Sequence, residues 1–266
     1  MSRILVTDAI ASEGIDLLGS RAEVDVKRGL TPPELQETIN GYDALVVRSE
    51  TKVTPEVIQA GQSLRVIARA GIGVDNINIE AATSAGIPVV NAPIGNTVAA
   101  AEHTLALMLA LARNVPQAYQ SFKAGEWKRS AFMGIEVRDK TLGIIGLGRV
   151  GSEVARRARA FGMNLVGFDP FISPDHAERM GVELMSVDDL LGRSDFITLH
   201  TPLTANTNGL IGERELTLVK PGARLINVAR GELINDKALL AALDNDQLAA
   251  AALDVFVQEP PEDMSL

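Results

Sequence analysis

Residues 140–169, KTLGIIGLGRVGSEVARRARAFGMNLVGFD, restrict what this chain can become more than any other stretch of it. An apolar run with Leu142, Ile144 and Ile145 enters a turn whose glycines, Gly146, Gly148 and Gly151, have G-x-G-x-x-G spacing. Behind the turn Val154, Ala155, Ala158 and Phe161 recur at helical intervals, and a second apolar run ends in Asp169. Glycine triplets alone are common. This one stands between a strand and a helix and ahead of an acid, which is the context a dinucleotide site requires. Gly146 permits a tight turn, Gly148 lets a pyrophosphate approach the backbone, and Gly151 lets the helix pack on the strand. The helix start, with Arg149 and Val150 in its first turn, turns N–H groups and positive potential toward phosphate. Asp169 can accept from both hydroxyls of an adenosine ribose and repels a 2′-phosphate, so the expected cofactor is NAD rather than NADP.

Apolar runs alternate with helical periodicity through most of the remaining chain. Residues 4–7, 24–26, 44–47, 66–68 and 89–90 read as strands, separated by helices at 13–18, 33–39, 55–60 and 79–85. A second series starts at Leu142 and continues through 165–168, 196–199, 224–228 and 250–253. This is the α/β class, with two doubly wound parallel-sheet domains, the second a Rossmann-type dinucleotide-binding domain. Pro93 ends the first series, and a long apolar helix, Thr97–Arg113, follows. The boundaries expected are therefore 1–96, flavodoxin-like, and 97–266. The helix carries Leu105, Met108, Leu109 and Ala112 on one stripe, with Ala99, Ala106 and Ala110 nearby. That much apolar surface calls for burial on more than one side, against another domain or a second subunit.

Composition narrows the function classes. With 46% apolar and 22% charged residues the chain has the balance of a soluble globular protein. A net charge of −9 disfavours broad binding to nucleic acid or anionic membranes. The absence of cysteine excludes disulfides and thiolate catalysis and fits a reducing compartment. The start, MSRILVTDAI, reads as a short strand rather than a secretory signal. The longest apolar-rich stretch, 98–112, is interrupted by Glu102, His103 and Thr104 and is too short to span a bilayer. A cytoplasmic location, a small-molecule substrate, no membrane or nucleic-acid partner and no metal are expected.

Six strings occur in order: ARAGIGVDNINIEAATSAGIPVVNAP, AAEHTLALMLALAR, GLGRVG, LHTPLT, INVARGELIN and AALDVFVQEP. Together they span nearly the whole chain and resemble the D-isomer-specific 2-hydroxyacid dehydrogenase family. The resemblance implies NAD-dependent hydride transfer at C2 of a D-2-hydroxy acid, with catalytic roles for Arg230 and Glu259. Arg230 would pair with the substrate carboxylate and the C2 oxygen, a task suited to a planar, permanently charged fork. Glu259 would hold a histidine base and raise its pKa by opposite charge. Asp254 would meet the nicotinamide carboxamide. His200, Thr201 and Pro202 would wall the cofactor pocket, as would Val228 and Ala229 beside Arg230. Gly73 and Val74 would offer backbone N–H groups to the substrate, with Arg69 and Asn96 lining the same site. Within the family the pattern is most like members that oxidise D-3-phosphoglycerate to 3-phosphohydroxypyruvate, at the start of serine biosynthesis. There Arg48, in VVRSETKVT, and Arg129, in WKRSAFMG, would bind the substrate phosphate. A homodimer through the Thr97–Arg113 region is also implied.

Other readings stay open on the residues alone. Glu259 beside Pro260 reads as loop charge, Asp254 as an ordinary surface acid, and His200 as a satisfied core imidazole. Arg48 and Arg129 read as solvated surface charges, as Lys52 and Lys128 do. His103 reads as a helix-packing residue and His176 as a surface one. A glyoxylate or hydroxypyruvate reductase would carry the same residues with a smaller acid. A protein of another class, an NAD(H)-sensing, corepressor-like binding protein, would use the same fold to dock peptides. The family pattern also calls for a catalytic histidine in a Pro-His-x-Gly string downstream of QEP. This chain contains no Pro-His dipeptide, and none of its three histidines is assigned as the base. The expectation is a fragment whose second domain is incomplete at its C-terminal end. A missing base would lower turnover by about 10²–10⁴-fold.

Overall fold

The computed structural model describes residues 1–262. The chain divides into two compact units, Met1–Asn96 and Thr97–Leu266.

In the first unit the elements alternate as β1 (Arg3–Val6), α1 (Ser12–Gly19), β2 (Glu23–Val26), α2 (Pro32–Thr38), β3 (Ala44–Val47), α3 (Pro55–Ala60), β4 (Val66–Arg69), α4 (Ile79–Ser84) and β5 (Val89–Asn91). All pairings are parallel and the strand order is β2-β1-β3-β4-β5. The strands form where β-branched and leucine residues cluster, and Leu5, Leu45, Val47 and Ile67 are fully buried between the helical layers. Helices start where the sequence supplies a cap. Asn78 accepts from the N–H of Ala81 at 2.8 Å, and the Thr54 hydroxyl caps α3 ahead of Pro55. The strand order reverses between β1 and β3. In open α/β sheets that switch point, on the carboxyl side, is where ligands bind.

The second unit opens with α5 (Thr97–Arg113) and α6 (Val115–Lys123). Then follow β6 (Thr141–Ile145), α7 (Arg149–Ala160), β7 (Asn164–Phe168), α8 (Pro174–Met180), β8 (Glu183–Leu184), α9 (Val187–Arg193), β9 (Phe196–Leu199), α10 (Glu213–Leu218), β10 (Ala223–Asn227), α11 (Asp236–Asp244) and β11 (Leu248–Leu253). The six strands lie in the order β11-β10-β9-β6-β7-β8, all parallel. Counted from β6, this is the 3-2-1-4-5-6 arrangement of a doubly wound dinucleotide-binding sheet. One face packs Ile145, Ile197 and Leu225 against Leu190, Leu216 and Leu239 of α9, α10 and α11. On the other, Leu142 and Ile144 meet α7 and α5.

Ala101 and Ala112 of α5 and Ala155 and Ala158 of α7 are all fully buried, and such small residues let two helices approach closely. The Leu105, Met108 and Ala112 stripe of α5 is thus covered within the second unit. The helix still exposes Val98, which is 51% accessible.

A polar pair closes β9. Thr198 is buried, and its hydroxyl lies 3.0 Å from Nε2 of His200. Part of His200 reaches the surface, yet the surrounding protein desolvates the imidazole and pushes its pKa from 6.5 down to about 3. The folded state therefore keeps the ring neutral, whereas the unfolded chain takes up a proton once the pH falls below the ordinary histidine value. The stability contributed by this group is present above that value and is lost as the pH falls toward the folded-state one. NMR titration should show the His200 ring signals unchanged between about pH 8 and pH 5; a midpoint near 6.5 would mean that the ring is solvated.

Candidate active site

Five strand exits of the second unit bring its expected residues to one edge. At the end of β6, Gly146 has φ 97° and runs against the end of β9, where a side chain would meet the carbonyl of His200 at 2.7 Å. Gly151 packs so tightly that a Cβ would stand 2.0 Å from the Gly146 oxygen. Gly148 is different: a Cβ there would meet nothing within 4 Å. Two of the glycines thus serve close contacts inside the protein, and the third borders open space. Gly148 is also the N-cap of α7, and no side chain caps that helix. A helix start without a side-chain cap suits an anion, and Arg149 is exposed and Val150 half-buried beside it.

Asp169 follows β7. Its Oδ2 accepts from the N–H of Leu147 at 2.8 Å and its Oδ1 from the N–H of Phe171 at 2.9 Å. The carboxylate therefore fastens the glycine turn, a task the sequence reading did not give it. A carboxylate has about four acceptor positions, so capacity for ribose hydroxyls remains.

At the end of β9, Thr201 Oγ1 is buried with no partner among the described residues, and Pro202 is exposed. After β10 the side chain of Asn227, 1% accessible, orders the Val228–Ala229–Arg230 turn. Its Oδ1 accepts from the N–H of Ala229 at 3.0 Å, and its Nδ2 donates to the Arg230 carbonyl at 2.8 Å. Arg230 itself is half-buried and donates from Nη1 to the Ala229 carbonyl at 2.6 Å. The next glycine, Gly231, lies against Phe256, where a Cβ would fall 2.1 Å from the carbonyl carbon. That contact seats the segment bearing Glu259 on the Arg230 turn. Glu259 is exposed and accepts from the N–H of Phe256 at 3.1 Å.

Asp254 leaves β11 with its N–H donated to the Asn227 carbonyl at 3.0 Å. Its Oδ1 lies 3.1 Å from Nε2 of His103. His103 was read as a packing residue, but its side chain is 47% accessible and meets Asp254 from α5. Sequence reasoning missed this partnership, as it missed the role of Asn227. Arg129 opens a short 3-10 turn, Arg129–Phe132, and is exposed. Its neighbour Lys128 pairs with Glu126 at 2.7 Å.

In the first unit, Arg48 follows β3 and Arg69 ends β4, on strands paired Val47 to Arg69. Both stand on the carboxyl edge, Arg48 beside the switch point and Arg69 one strand further along. Gly73 and Val74 are half-buried in the loop after β4, where the Val74 carbonyl accepts from the N–H of Ile77 at 2.9 Å. Asn96 is the last residue of the unit and is exposed.

The second unit fits a dinucleotide by its own geometry: an uncapped helix N-terminus, open space over Gly148, an unpartnered buried hydroxyl at Thr201 among the described residues, and an acid at the end of the second strand. Among the described residues no group of three or more His, Cys, Asp or Glu could hold a metal ion. No described helix is long and apolar enough to cross a membrane.

Comparison with known proteins agrees with this geometry. A family profile described as D-isomer specific 2-hydroxyacid dehydrogenase, NAD binding domain, matches residues 105–266. D-3-phosphoglycerate dehydrogenase of Methanocaldococcus jannaschii is 54% identical over 100% of this chain and 51% of its own length. The chain thus spans about half the length of the curated relatives it matches. Among solved structures, the TT0316 protein of Thermus thermophilus is 37% identical with a TM-score of 0.91, over 99% of this chain and 85% of that one. A glyoxylate reductase from Paecilomyes thermophila is 33% identical with a TM-score of 0.91, over 100% of this chain and 84% of that one. The chain belongs to the D-isomer specific 2-hydroxyacid dehydrogenase family and carries its NAD-binding domain.

Proposed function

We propose that the protein serves the NAD-dependent oxidation of D-3-phosphoglycerate to 3-phosphohydroxypyruvate, the second unit binding NAD and the first the acid. The observation that carries this reading is the convergence of the glycine turn, Asp169, Thr201, Arg230 and Asp254 on the carboxyl edge of one parallel sheet. The relatives named D-3-phosphoglycerate dehydrogenase, at 46–54% identity, support the choice of acid.

When bound, NAD supplies the acceptor for the hydride that leaves C2. The chain's residues bind and orient. The 146–151 turn cradles the pyrophosphate with backbone N–H groups, and Asp169 receives the ribose hydroxyls. His200, Thr201 and Pro202 wall the pocket together with Val228 and Ala229, and Asp254 meets the carboxamide. Arg230 holds the C1 carboxylate and the C2 oxygen, so that negative charge on that oxygen is stabilised as its proton leaves. Glu259 is the partner of a histidine base, a role this reading gives to none of His103, His176 and His200. Arg69, Gly73, Val74 and Asn96 line the acid, and Arg48 and Arg129 bind its phosphate. The net charge of −9 fits a small-molecule enzyme of the cytoplasm with no nucleic-acid or membrane partner. Exposed Tyr119, Phe122 and Trp127 after α5 support a homodimer formed through that region.

A smaller acid is the second reading, favoured by the likeness to a glyoxylate reductase. Calorimetric titration of the NADH complex with 3-phosphohydroxypyruvate, hydroxypyruvate and glyoxylate separates the two. The phosphorylated acid should bind tightest; equal or tighter binding of glyoxylate would transfer the assignment to the reductase. NADH-dependent peptide capture without keto-acid binding would instead mark a corepressor-like protein.

Two substitutions test the parts. Gly148→Ala should leave the thermal midpoint unchanged, since the added methyl meets open space. The dissociation constant of NADH should nevertheless rise about tenfold or more, ~1.4 kcal/mol, because the methyl occupies the pyrophosphate's approach. Unaltered NADH affinity would show that the phosphates bind elsewhere. Arg48→Ala removes a charge-assisted contact of about 1.5–3 kcal/mol. It should weaken 3-phosphohydroxypyruvate about ten- to hundredfold while leaving NADH alone. Equal small effects on both ligands would remove Arg48 from the substrate site.

A further inference from the structure

The carboxyl edge of the first unit holds a polar clamp that the assigned roles leave unexplained. The sheet ladder ends where the Val47 carbonyl accepts from the N–H of Ala70 at 2.8 Å. Beyond that point the Arg48 loop has no strand partner, and its backbone groups must be satisfied by something else. Two side chains do so, from opposite sides.

On the N–H side stands Asp8, just after β1 and only 2% accessible. Its Oδ2 accepts from the N–H of Arg48 at 2.5 Å and from the N–H of Thr51 at 3.3 Å. Its Oδ1 accepts from the Thr51 hydroxyl. On the carbonyl side stands Asn76. Its Nδ2 donates to the carbonyls of Arg48 and Thr51, both at 2.6 Å. Its Oδ1 accepts from Nε of Arg69 at 2.9 Å. Arg69 Nε also reaches the Arg48 carbonyl at 3.3 Å. Asn76 is itself anchored, because its carbonyl accepts from the N–H of Val53 at 2.8 Å.

One amide therefore contacts the backbone of one arginine and the guanidinium of the next. An arginine fork is planar, so a bond at Nε fixes the plane in which its remaining donors lie. Arg48 has its own restraint, from Nη1 to the Ala9 carbonyl at 3.1 Å. Arg48 just past β3 and Arg69 at the end of β4 are thus tied to one amide, and two cations linked in this way suit a small molecule with two anionic groups. A lone carboxylate engages only part of such an arrangement.

We infer that Asn76 is a positioning residue that couples Arg48 to Arg69 and so makes the first unit selective for doubly anionic 2-keto and 2-hydroxy acids over singly anionic ones. The inference deepens the functional reading above and rests on it. It also explains the residue type. An asparagine offers two donors and an acceptor at once, whereas an aspartate would face two carbonyls with a charge, and an alanine would leave both carbonyls and Nε without this partner.

The test compares wild type, Asn76→Ala, Asn76→Asp and Arg48→Ala by titrating the NADH complex with 3-phosphohydroxypyruvate and with hydroxypyruvate. Asn76→Ala should weaken the phosphorylated acid about ten- to hundredfold, the equivalent of about one charge-assisted bond. Hydroxypyruvate should weaken much less, so the ratio of the two affinities collapses while NADH binding holds. A purely structural role would lower the thermal midpoint and weaken every ligand in parallel, leaving the ratio intact. Should Asn76→Ala fail to fold, the isosteric Asn76→Asp should show the same collapse. An unchanged ratio in folded Asn76 variants, while Arg48→Ala selectively weakens the phosphorylated acid, would overturn this inference and leave the functional reading standing. A wild type that ignores the phosphorylated acid would overturn both, whereas an Arg48→Ala without effect would overturn this inference and remove Arg48 from the substrate site.

Discussion

Gly146 sits against the end of β9 with no room for a methyl group, and the geometry of the second unit follows from that contact. A parallel sheet sends every carboxyl end to the same edge. The turn out of β6 and the exit of β9 therefore leave side by side, at the place where strand order reverses. Closeness of their backbones fixes the start of α7, because Gly151 packs onto the Gly146 carbonyl. The helix N-terminus is aimed by backbone contact, with no side chain between, and the space over Gly148 stays open as a result.

The same edge raises a second requirement in both units. Where a ladder ends, backbone N–H and C=O groups lose their partners, and buried ones must find others. Short polar side chains take that place at several of these exits. Asp169 receives the N–H groups of Leu147 and Phe171. Asn227 serves Ala229 and Arg230. Asp8 and Asn76 hold the two sides of the Arg48 loop. Most of these bonds join part-buried groups, unlike exposed pairs such as Arg193 with Glu183, whose side chains are 52% and 60% accessible and which contribute little to stability. Rigidity at the edge comes from amides and carboxylates bound to backbone, and the arginines are carried on that support.

Much of this was legible in the sequence because it depends on local periodicity and on glycine. Alternating apolar runs marked ten of the eleven described strands, and the Gly146–Gly148–Gly151 turn fell between a strand and a helix as read. Two residues make β8, too few to show a period, so Glu183–Leu184 passed unnoticed. Helix α6 also escaped, since Val115–Lys123 mixes polar and aromatic residues without a buried member. The fine structure of the edge was out of reach for a different reason. His103 and Asp254 are 151 residues apart in sequence, and Asn76 meets Arg48 across 28. Such pairs arise from strand order, which periodicity does not encode. Asn76 does adjoin the Gly73–Val74 string already singled out, and that proximity was the available signal.

The double bonding of Asp169 bears on any redesign of coenzyme preference. Replacing that acid to admit a 2′-phosphate also withdraws the acceptor from the N–H of Leu147, a residue 1% accessible. An exchange at position 169 thus loosens the anchoring of the phosphate loop while it alters the ribose end, so altered discrimination and weaker grip arrive together. A substitute side chain that still reaches the Leu147 amide, or a new donor placed elsewhere on the rim, is the route by which the two properties could be varied separately.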